Sequence, residues 1–310
     1  MKIAFLGTPE FAIPSLEMLY QLGHSIHVFT QPDRPVGRHG TLTPPPVKTY
    51  ALEHGIPVSQ FEKIKSPEGV AALKAFAPDL MVTAAFGQIL SAEDLSIPKI
   101  GCINVHGSLL PKYRGAAPIQ WSVINGDAET GITTMFTDVG MDTGDMLLTD
   151  RVTILPNETA GELYERLGII GAQTLQKTLT ALDAGTLQRI PQNSEEATVC
   201  PMLKKEHGKL DFQWTRQKVH NRVRGTNPWP GAYALYDEEV LKIWSSSLEV
   251  PSDLPDDAEP GQCWGDGKTG LFVRCQDGWI ALTELQSSGS KRLDSKTFLR
   301  GHSLTGKVLS

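Results

Sequence analysis

Two polar side chains near the middle of the sequence have types and spacing suited to acyl-group chemistry. Asn104 and His106 lie in residues 100–106, whose apolar and β-branched composition predicts a strand. Alternate strand residues share a face, so both side chains project together near the end of that strand. Asn donates to a carbonyl oxygen that gains negative charge, and His moves protons near neutral pH. The pair favours acyl-type transfer, and the alternative is a pair that only hydrogen-bonds a loop.

A carboxylate further along the chain could reach the same place. Residues 131–136 are strand-like and run into a turn in which Gly140 and Gly144 flank Asp142. An Asp beside a His can hold the imidazolium and bind a water that relays protons. By itself, Asp142 is explained equally well as an ordinary turn residue.

The elements that must position these residues alternate between strand-like and helix-like patterns. Strands are predicted at 2–6, 25–30, 79–85 and 100–106, and helices at 10–22, 68–76, after Ala117 and at 159–182. This order predicts an α/β fold with a Rossmann-like, doubly wound and mostly parallel sheet. Ligands of such sheets bind outside the carboxyl ends of the strands, where Asn104 and His106 fall.

The C-terminal part has a different character, which predicts a second domain. We assign residues 1–188 to the catalytic domain and the polar, proline-containing residues 189–208 to a linker. Residues 209–310 combine a helix near 215–224 with short strands, which predicts a small OB-like β-barrel. Residues 31–46 carry five prolines and are too long for a passive connection, so we expect a functional loop there.

Composition excludes several classes of protein. The 310 residues include 29 Lys+Arg and 35 Asp+Glu, for a net charge of −6, so the chain is not a globally basic, DNA-binding type. No apolar run is long enough for a membrane span, and Gly7 interrupts the N-terminal apolar run, so we expect a cytoplasmic protein. The four cysteines lack metal-site or disulfide-framework spacing, and we expect reduced, packed thiols.

A glycine pattern near the C-terminus imitates a nucleotide-binding motif. Gly265, Gly267 and Gly270 fit the G-x-G-x-x-G spacing, but they lead into a strand-like run without a following helix. We therefore predict a hairpin turn there. A nicotinamide-dependent dehydrogenase is also disfavoured, because the turn after the first strand lacks the required glycines.

Together these motifs resemble the folate-dependent formyltransferase family. The resemblance is carried by Asn104, His106, the run SLLPKYRG at 108–115 and the segment 131–147, with matching His106 to Asp142 spacing. The outer segments GTPEFA, QPDRP, PVK and NPWPGA resemble the members that formylate an aminoacyl-tRNA. The similarity extends from the first predicted strand to residue 301.

The resemblance implies a reaction and roles for individual residues. The donor would be 10-formyltetrahydrofolate and the acceptor the α-amino group of methionyl initiator tRNA, with no metal ion required. Asn104 and protonated His106 would stabilise the oxyanion, and Asp142 would pair with His106 and help move the amine proton. The folate site would be lined by Ser108, Leu109, Leu110 and Pro111 and walled by Phe86, Gly87, Gln88, Ile89 and Leu90.

The resemblance also implies tRNA-binding residues in the proline-rich loop and in the second domain. Arg38 matches the key arginine of the loop, but His39, Gly40 and Thr41 follow where many relatives carry lysines. The expected basic face comprises Lys204, Lys205, Lys209, Arg222 and Arg224, and scattered solvent charge is the alternative. Two other functions stay open: formyl transfer to a small acceptor or water, and a non-catalytic RNA-binding module.

Overall fold

A computed structural model describes residues 1–37 and 40–310 of the chain, so Arg38 lies outside the described residues. The contacts between residues divide the chain into two compact units. The first contains Met1–Gly115, Thr130–Val152 and Tyr164–Cys200. The second contains Ala116–Glu129, Thr153–Leu163 and Pro201–Ser310. The chain leaves the first unit for the last time at residue 200, within the segment that we assigned to a linker.

The elements up to residue 200 follow the alternation that the sequence predicts. They are β1 (Lys2–Gly7), α1 (Ile13–Gln21), β2 (Ser25–Thr30), β3 (Arg34–Val36), β4 (Thr41–Thr43), α2 (Pro46–Glu53), β5 (Val58–Gln60), α3 (Pro67–Phe76), β6 (Leu80–Ala84), α4 (Ala92–Ser96), β7 (Gly101–His106), β8 (Arg114–Gly115), α5 (Pro118–Asn125), β9 (Glu129–Phe136), β10 (Met146–Thr153), α6 (Ala160–Asp183) and β11 (Val199–Cys200).

The first unit is built on a sheet with the strand order β10-β9-β7-β6-β1-β2-β5. β1, β2, β5, β6 and β7 pair in parallel, and β9 runs antiparallel to β7. The central strands are buried on both faces, which explains their continuous apolar sequences. The predicted α/β fold with a mostly parallel sheet is confirmed.

The sequence of each helix contains its own start signal. Ser66 precedes α3, and its hydroxyl accepts a hydrogen bond from the Gly69 amide, while a proline occupies the first turn. Ser91 and Asp94 form a reciprocal capping box at the start of α4. The helices predicted at 68–76 and 159–182 lie within one residue of α3 and α6, whereas α2 and α4 were not predicted.

The proline-rich segment 31–46 has regular structure where the structure describes it. β3 and β4 pair antiparallel as a short exposed hairpin, and α2 begins at Pro46. Lys48 on α2 forms an ion pair with Asp33, with 2.8 Å between Nζ and Oδ1. This contact joins the start of the hairpin to the helix that follows it.

The second unit centres on an antiparallel sheet. Its elements beyond residue 200 are α7 (Arg216–Gly225), β12 (Ala232–Tyr236), β13 (Glu239–Ser247), β14 (Cys263–Asp266), β15 (Gly270–Cys275), β16 (Gly278–Ser287), β17 (Leu293–Asp294) and α8 (Ser295–Gly301), which we number after α6 and β11. The strand order is β12-β13-β16-β15-β14, with β17 on β16. Among the described residues this pairing is an open path, so the structure supports an antiparallel sheet and the closed barrel stays a prediction.

Two local features of this unit follow from its sequence. The turn between β14 and β15 is held by Asp266, whose carboxylate accepts from the amides of Lys268 and Thr269. The glycine-rich motif is therefore a hairpin turn, as predicted. On α7, a side chain at Gly225 would collide with the Ile124 backbone of α5, so the glycine allows these two helices to pack closely. In the described ranges, no helix combines the length and apolar character that crossing a membrane requires.

Candidate active site

Asn104 is oriented by a hydroxyl on the neighbouring strand. Thr83 of β6 is the register partner of Asn104 on β7, and its Oγ1 donates to Asn104 Oδ1 at 2.8 Å. This bond uses the acceptor end of the amide and directs the Nδ2 end away from Thr83. No described residue accepts from Nδ2, so the amide can donate to a substrate oxygen at the strand end.

His106 is held from one side by a backbone carbonyl. Its ring is 5% exposed, and its Nε2 donates to the carbonyl oxygen of Tyr113 at 2.9 Å. Tyr113 adopts a positive φ of 59°, a conformation that is uncommon for a residue with a side chain. Because Nε2–H is used in this bond, Nδ1 is the ring nitrogen left to interact with other groups.

Asp142 faces that free nitrogen. Its Oδ2 lies 3.7 Å from His106 Nδ1, which is an ion-pair distance when the ring is protonated but too long for a direct hydrogen bond. The same oxygen accepts from the Gly115 amide at 2.8 Å. The separation leaves room for a third partner between them, such as a water that donates to the carboxylate.

The turn that carries Asp142 is constrained by its own residues. Asp142 has a φ of 53°, and the Asp138 carboxylate accepts from the Gly140 amide and from the Thr143 hydroxyl. A side chain at Gly144 would collide with the Phe136 carbonyl oxygen, so the turn closes tightly against the end of β9. The predicted proximity of His106 and Asp142 is therefore present in the structure.

The segment after His106 is shaped by buried hydroxyl groups. Ser108 is fully buried and its hydroxyl donates to the Lys112 carbonyl at 2.6 Å, while its own carbonyl accepts from Thr133 at 2.7 Å. Leu110 donates its amide to the same Thr133 hydroxyl and is buried. Ser108 and Leu110 thus hold the shape of this segment, whereas Leu109 and Pro111 are partly exposed.

The residues after β6 divide between the core and the surface. Phe86 and Leu90 pack in the core of the first unit, and the Gln88 side chain bonds the Ile64 amide and the Phe61 carbonyl. Gly87 is exposed with a φ of 79°, and Ile89 is 78% exposed. Of the five residues predicted to wall the folate site, these two are the ones that face outward.

Two contributors to this site were missed by the sequence analysis. The sequence pattern predicts only an apolar strand at Thr83, although Thr83 is the one polar residue of β6. Gln192 lies in the predicted linker, yet it donates to the carbonyls of Asp142 and Gly144 and accepts from Arg114 Nε. No local pattern marks Gln192, because its partners lie about 50 and 78 positions earlier in the chain.

The basic residues of the second unit differ in exposure. Lys204, Lys205 and Lys209 are exposed. Arg222 is partly buried, donates to the His207 carbonyl, and lies 5.0 Å from the ring centre of Trp214, and burial lowers its pKa. Arg224 is 7% exposed and donates to Asn221 Oδ1 and to two carbonyls of the same unit. Arg224 is therefore a buried structural residue and does not belong to an exposed basic face.

The four cysteines are buried, and none of them forms a disulfide in the described part of the chain: Cys102, Cys200, Cys263 and Cys275. Burial raises the pKa of Cys102, Cys263 and Cys275 to about 12. The expectation of packed thiols is confirmed. Within residues 1–37 and 40–310, no cluster of three or more His, Cys, Asp and Glu side chains could hold a metal ion.

Comparison with known proteins identifies the class to which this fold and site belong. Residues 1–179 match the family model described as "Formyl transferase", and residues 202–303 match "Formyl transferase, C-terminal domain". The chain thus carries both domains of a formyl-transferring enzyme, and the first match includes the strand β7 that ends in Asn104 and His106.

The curated relatives narrow this class. Methionyl-tRNA formyltransferases of Ruminiclostridium cellulolyticum and Acetivibrio thermocellus are 51% and 49% identical to the chain. Each alignment covers 311 residues, 100% of this chain and 99% of the relative. The chain therefore belongs to the methionyl-tRNA formyltransferase members of the formyl transferase family.

A solved structure shares the fold at lower sequence identity. The crystal structure of the N-formyltransferase from Helicobacter canadensis, in complex with folinic acid and dTDP-3-aminofucose, has a TM-score of 0.68 and 21% identity. The match covers 93% of this chain and 99% of that one. Both units of the chain thus lie within a fold that is found in other formyltransferases.

Proposed function

We propose that this enzyme transfers the formyl group of 10-formyltetrahydrofolate to the α-amino group of methionyl initiator tRNA, the reaction that prepares this tRNA for translation initiation. The observation that carries the proposal is the constellation at the end of β7. Asn104 has a free amide donor, His106 has a free Nδ1, and the carboxylate of Asp142 lies 3.7 Å from that nitrogen. Identity of about 50% to methionyl-tRNA formyltransferases supports the tRNA acceptor.

In this mechanism Asn104 and His106 stabilise negative charge. When the amine attacks the formyl carbon, the carbonyl oxygen becomes an oxyanion, which needs donors already in place. Asn104 supplies Nδ2–H, whose direction is fixed by the bond from Thr83. His106 supplies Nδ1–H in its protonated form, because Nε2–H is occupied by the Tyr113 carbonyl.

In the same mechanism Asp142 stabilises the positive charge of the imidazolium and helps to transfer the proton of the amine. Its carboxylate stabilises the imidazolium and holds a water in the gap beside Nδ1. The amine that attacks carries an extra proton after the new C–N bond forms. This proton passes through the water to N10 of the folate as the bond between the formyl carbon and N10 breaks. The carbonyl re-forms, and the products are the formylated amine and tetrahydrofolate.

The proposed folate site lies beside these residues. We assign its lining to Leu109 and Pro111, which are partly exposed, and to the exposed main chain at Gly87 and side chain of Ile89. Ser108, Leu110, Phe86, Gln88 and Leu90 support this lining from behind. The folinic acid in the similar N-formyltransferase supports a folate donor for this chain.

We propose that the tRNA is bound by Lys204, Lys205 and Lys209, with a contribution from the partly buried Arg222. Exposed lysines attract phosphate groups and make binding depend on salt. Arg38 of the proline-rich segment 31–46 is proposed as a further tRNA contact on the basis of its match to the family. In this scheme residues 1–188 perform the chemistry, 189–208 link the domains, 209–310 bind tRNA as an OB-like barrel, and the enzyme works in the cytoplasm.

A comparison of acceptors tests the proposed function. Purified protein is incubated with 10-formyltetrahydrofolate and with methionyl initiator tRNA, glycinamide ribonucleotide, an amino sugar nucleotide or water. We expect formylated tRNA as the dominant product, and His106→Ala and Asp142→Asn to abolish its steady-state production while both variants remain folded. Turnover with only a small acceptor or water would contradict the tRNA assignment. Wild-type rates in either variant would contradict the mechanism.

A tRNA titration tests the role of Arg38. Arg38→Ala should raise the KM for tRNA far more than the KM for the folate, because loss of a phosphate contact weakens only tRNA binding. Arg34→Ala is a matched control in the same proline-rich segment of the sequence, since Arg34 is engaged with Glu62. Equal effects of Arg38→Ala on both substrates would remove this residue from the proposed tRNA contacts.

A further inference from the structure

One side chain from the predicted linker connects two parts of the active site. Gln192 Nε2 donates to the Asp142 carbonyl at 2.8 Å and to the Gly144 carbonyl at 2.7 Å. Its Oε1 accepts from Arg114 Nε at 3.0 Å. All four residues belong to the first compact unit. The amide therefore uses both of its ends, one on the turn that carries Asp142 and the other on β8.

The two ends of this bridge support the same carboxylate. Arg114 is buried, and the next residue, Gly115, donates its amide to Asp142 Oδ2 at 2.8 Å. Gln192 thus holds the main chain of Asp142 while it also anchors the strand whose amide holds the Asp142 carboxylate. Both contacts constrain Asp142, whose Oδ2 lies 3.7 Å from His106 Nδ1.

The rest of the segment after Gln192 reinforces β8. Thr198 Oγ1 accepts from the Tyr113 amide, and its carbonyl accepts from the Arg114 amide. Val199 and Cys200 form β11, which pairs with β8 in parallel. Tyr113 also provides the carbonyl that accepts from His106 Nε2. Residues 192–200 therefore contact both residues that flank the imidazole, Tyr113 and Asp142.

We propose that Gln192 is a positioning residue for formyl transfer, which holds the Asp142 carboxylate at the distance from His106 that the reaction needs. This inference rests on the proposed function for the reaction it serves, while the positioning itself is a property of the fold. Gln192 touches no substrate in this scheme and acts only through Asp142.

Glutamine has the chemistry that this position requires. Two carbonyl oxygens need donors on one side, and the Arg114 guanidinium needs an acceptor on the other. Glutamate retains the acceptor but places a carboxylate against two carbonyls, and methionine retains the length without donors or a strong acceptor. Either substitution removes the two hydrogen bonds that the Gln192 side chain donates to the turn of Asp142.

The test compares Gln192→Met and Gln192→Glu with the same substitutions at Gln188. Gln188 lies four residues before Gln192, is exposed and makes no hydrogen bond among the described residues, so it controls for changes in size and charge. We expect kcat to fall by about 10- to 100-fold in the Gln192 variants, as for small displacements of catalytic groups. The KM values for the folate and for tRNA should stay within about twofold of wild type, since binding contacts remain.

Two further measurements separate positioning from a general loss of structure. In an Asp142→Asn background, measured in single turnover, the Gln192 substitutions should have almost no further effect, because the carboxylate that Gln192 positions is gone. Asn tolerates the positive φ at 142, so this background keeps the turn. The 15N resonance of His106 Nδ1 should shift in Gln192→Met and stay in place in Gln188→Met.

Three results would overturn the proposal: a kcat equal to that of the Gln188 controls, an equal loss in the two backgrounds, or an unchanged His106 resonance. The resonance does not depend on turnover. If the wild-type protein formylates no acceptor, the proposed function fails, and the His106 resonance still decides whether Gln192 positions Asp142.

Discussion

Replacing Asn104 tests the proposed mechanism most directly. In Asn104→Ala the oxyanion loses one donor, and in Asn104→Asp the donor is exchanged for a negative charge. Both variants keep the strand, because Asn104 pairs with its neighbours through its main chain on β7. Thr83 can still donate to the new carboxylate of Asn104→Asp, so this variant retains its local hydrogen bond.

The size of the effect follows from the geometry at β6 and β7. Loss of one oriented donor to an oxyanion lowers kcat by about 100- to 1,000-fold. The kcat of Asn104→Asp should be lower than that of Asn104→Ala, since the negative charge of Asp repels the oxyanion. Thr83→Val removes only the bond that orients the amide. A hydrogen bond of about 0.5–1.5 kcal/mol corresponds to a loss of about 2- to 13-fold in kcat.

The assay is single-turnover transfer of a labelled formyl group to methionyl initiator tRNA at saturating folate. Thr30→Val is the matched control, because Thr30 is a buried strand threonine whose hydroxyl has no hydrogen-bond partner among the residues that the structure describes. It should transfer at the wild-type rate. A rate for Asn104→Asp within about threefold of wild type would refute the oxyanion role, as would equal rates for Thr83→Val and Thr30→Val.

Three further predictions concern the second unit. Arg224→Ala should lower the free energy of unfolding by about 2–4 kcal/mol in denaturant titrations, because it leaves buried carbonyl acceptors without a donor. An unchanged unfolding midpoint would contradict the structural role of Arg224. Lys204→Gln and Lys205→Gln should each reduce the salt dependence of tRNA binding by about one unit of log–log slope, and an unchanged slope would remove that lysine from the interface. Burial lowers the pKa of His220 below 6.5, so the unfolded state binds the proton first, and stability should fall as pH drops below 6.5. His220→Gln should flatten this dependence, measured as the unfolding free energy from pH 7.5 to 5.5.

Much of the fold could be predicted because its signals are local. The buried strands of the first unit are continuous apolar runs, and Ser66 and Ser91 start helices through bonds to amides three residues ahead. The same holds for the hairpin at Asp266, whose carboxylate satisfies its own turn. Patterns of this kind need no knowledge of distant residues.

The candidate site could be predicted in part for a related reason. Asn104 and His106 share a strand, so their spacing alone places them on one face. Asp142 was found through its flanking glycines and the matching spacing to the family, and the structure places it beside His106. The folate wall was less predictable, since Phe86 and Leu90 turn into the core while Gly87 and Ile89 face outward.

The sequence alone was therefore enough to identify the order of elements, the strand that ends in Asn104 and His106, and the family resemblance. Only the tertiary structure revealed that Thr83 orients Asn104, that Gln192 holds Asp142, and that Arg224 is buried. Each of these facts depends on a contact between residues that are distant in sequence or on packing around a whole side chain. Composition and periodicity describe neighbours along the chain, and such contacts exist only after the chain has folded.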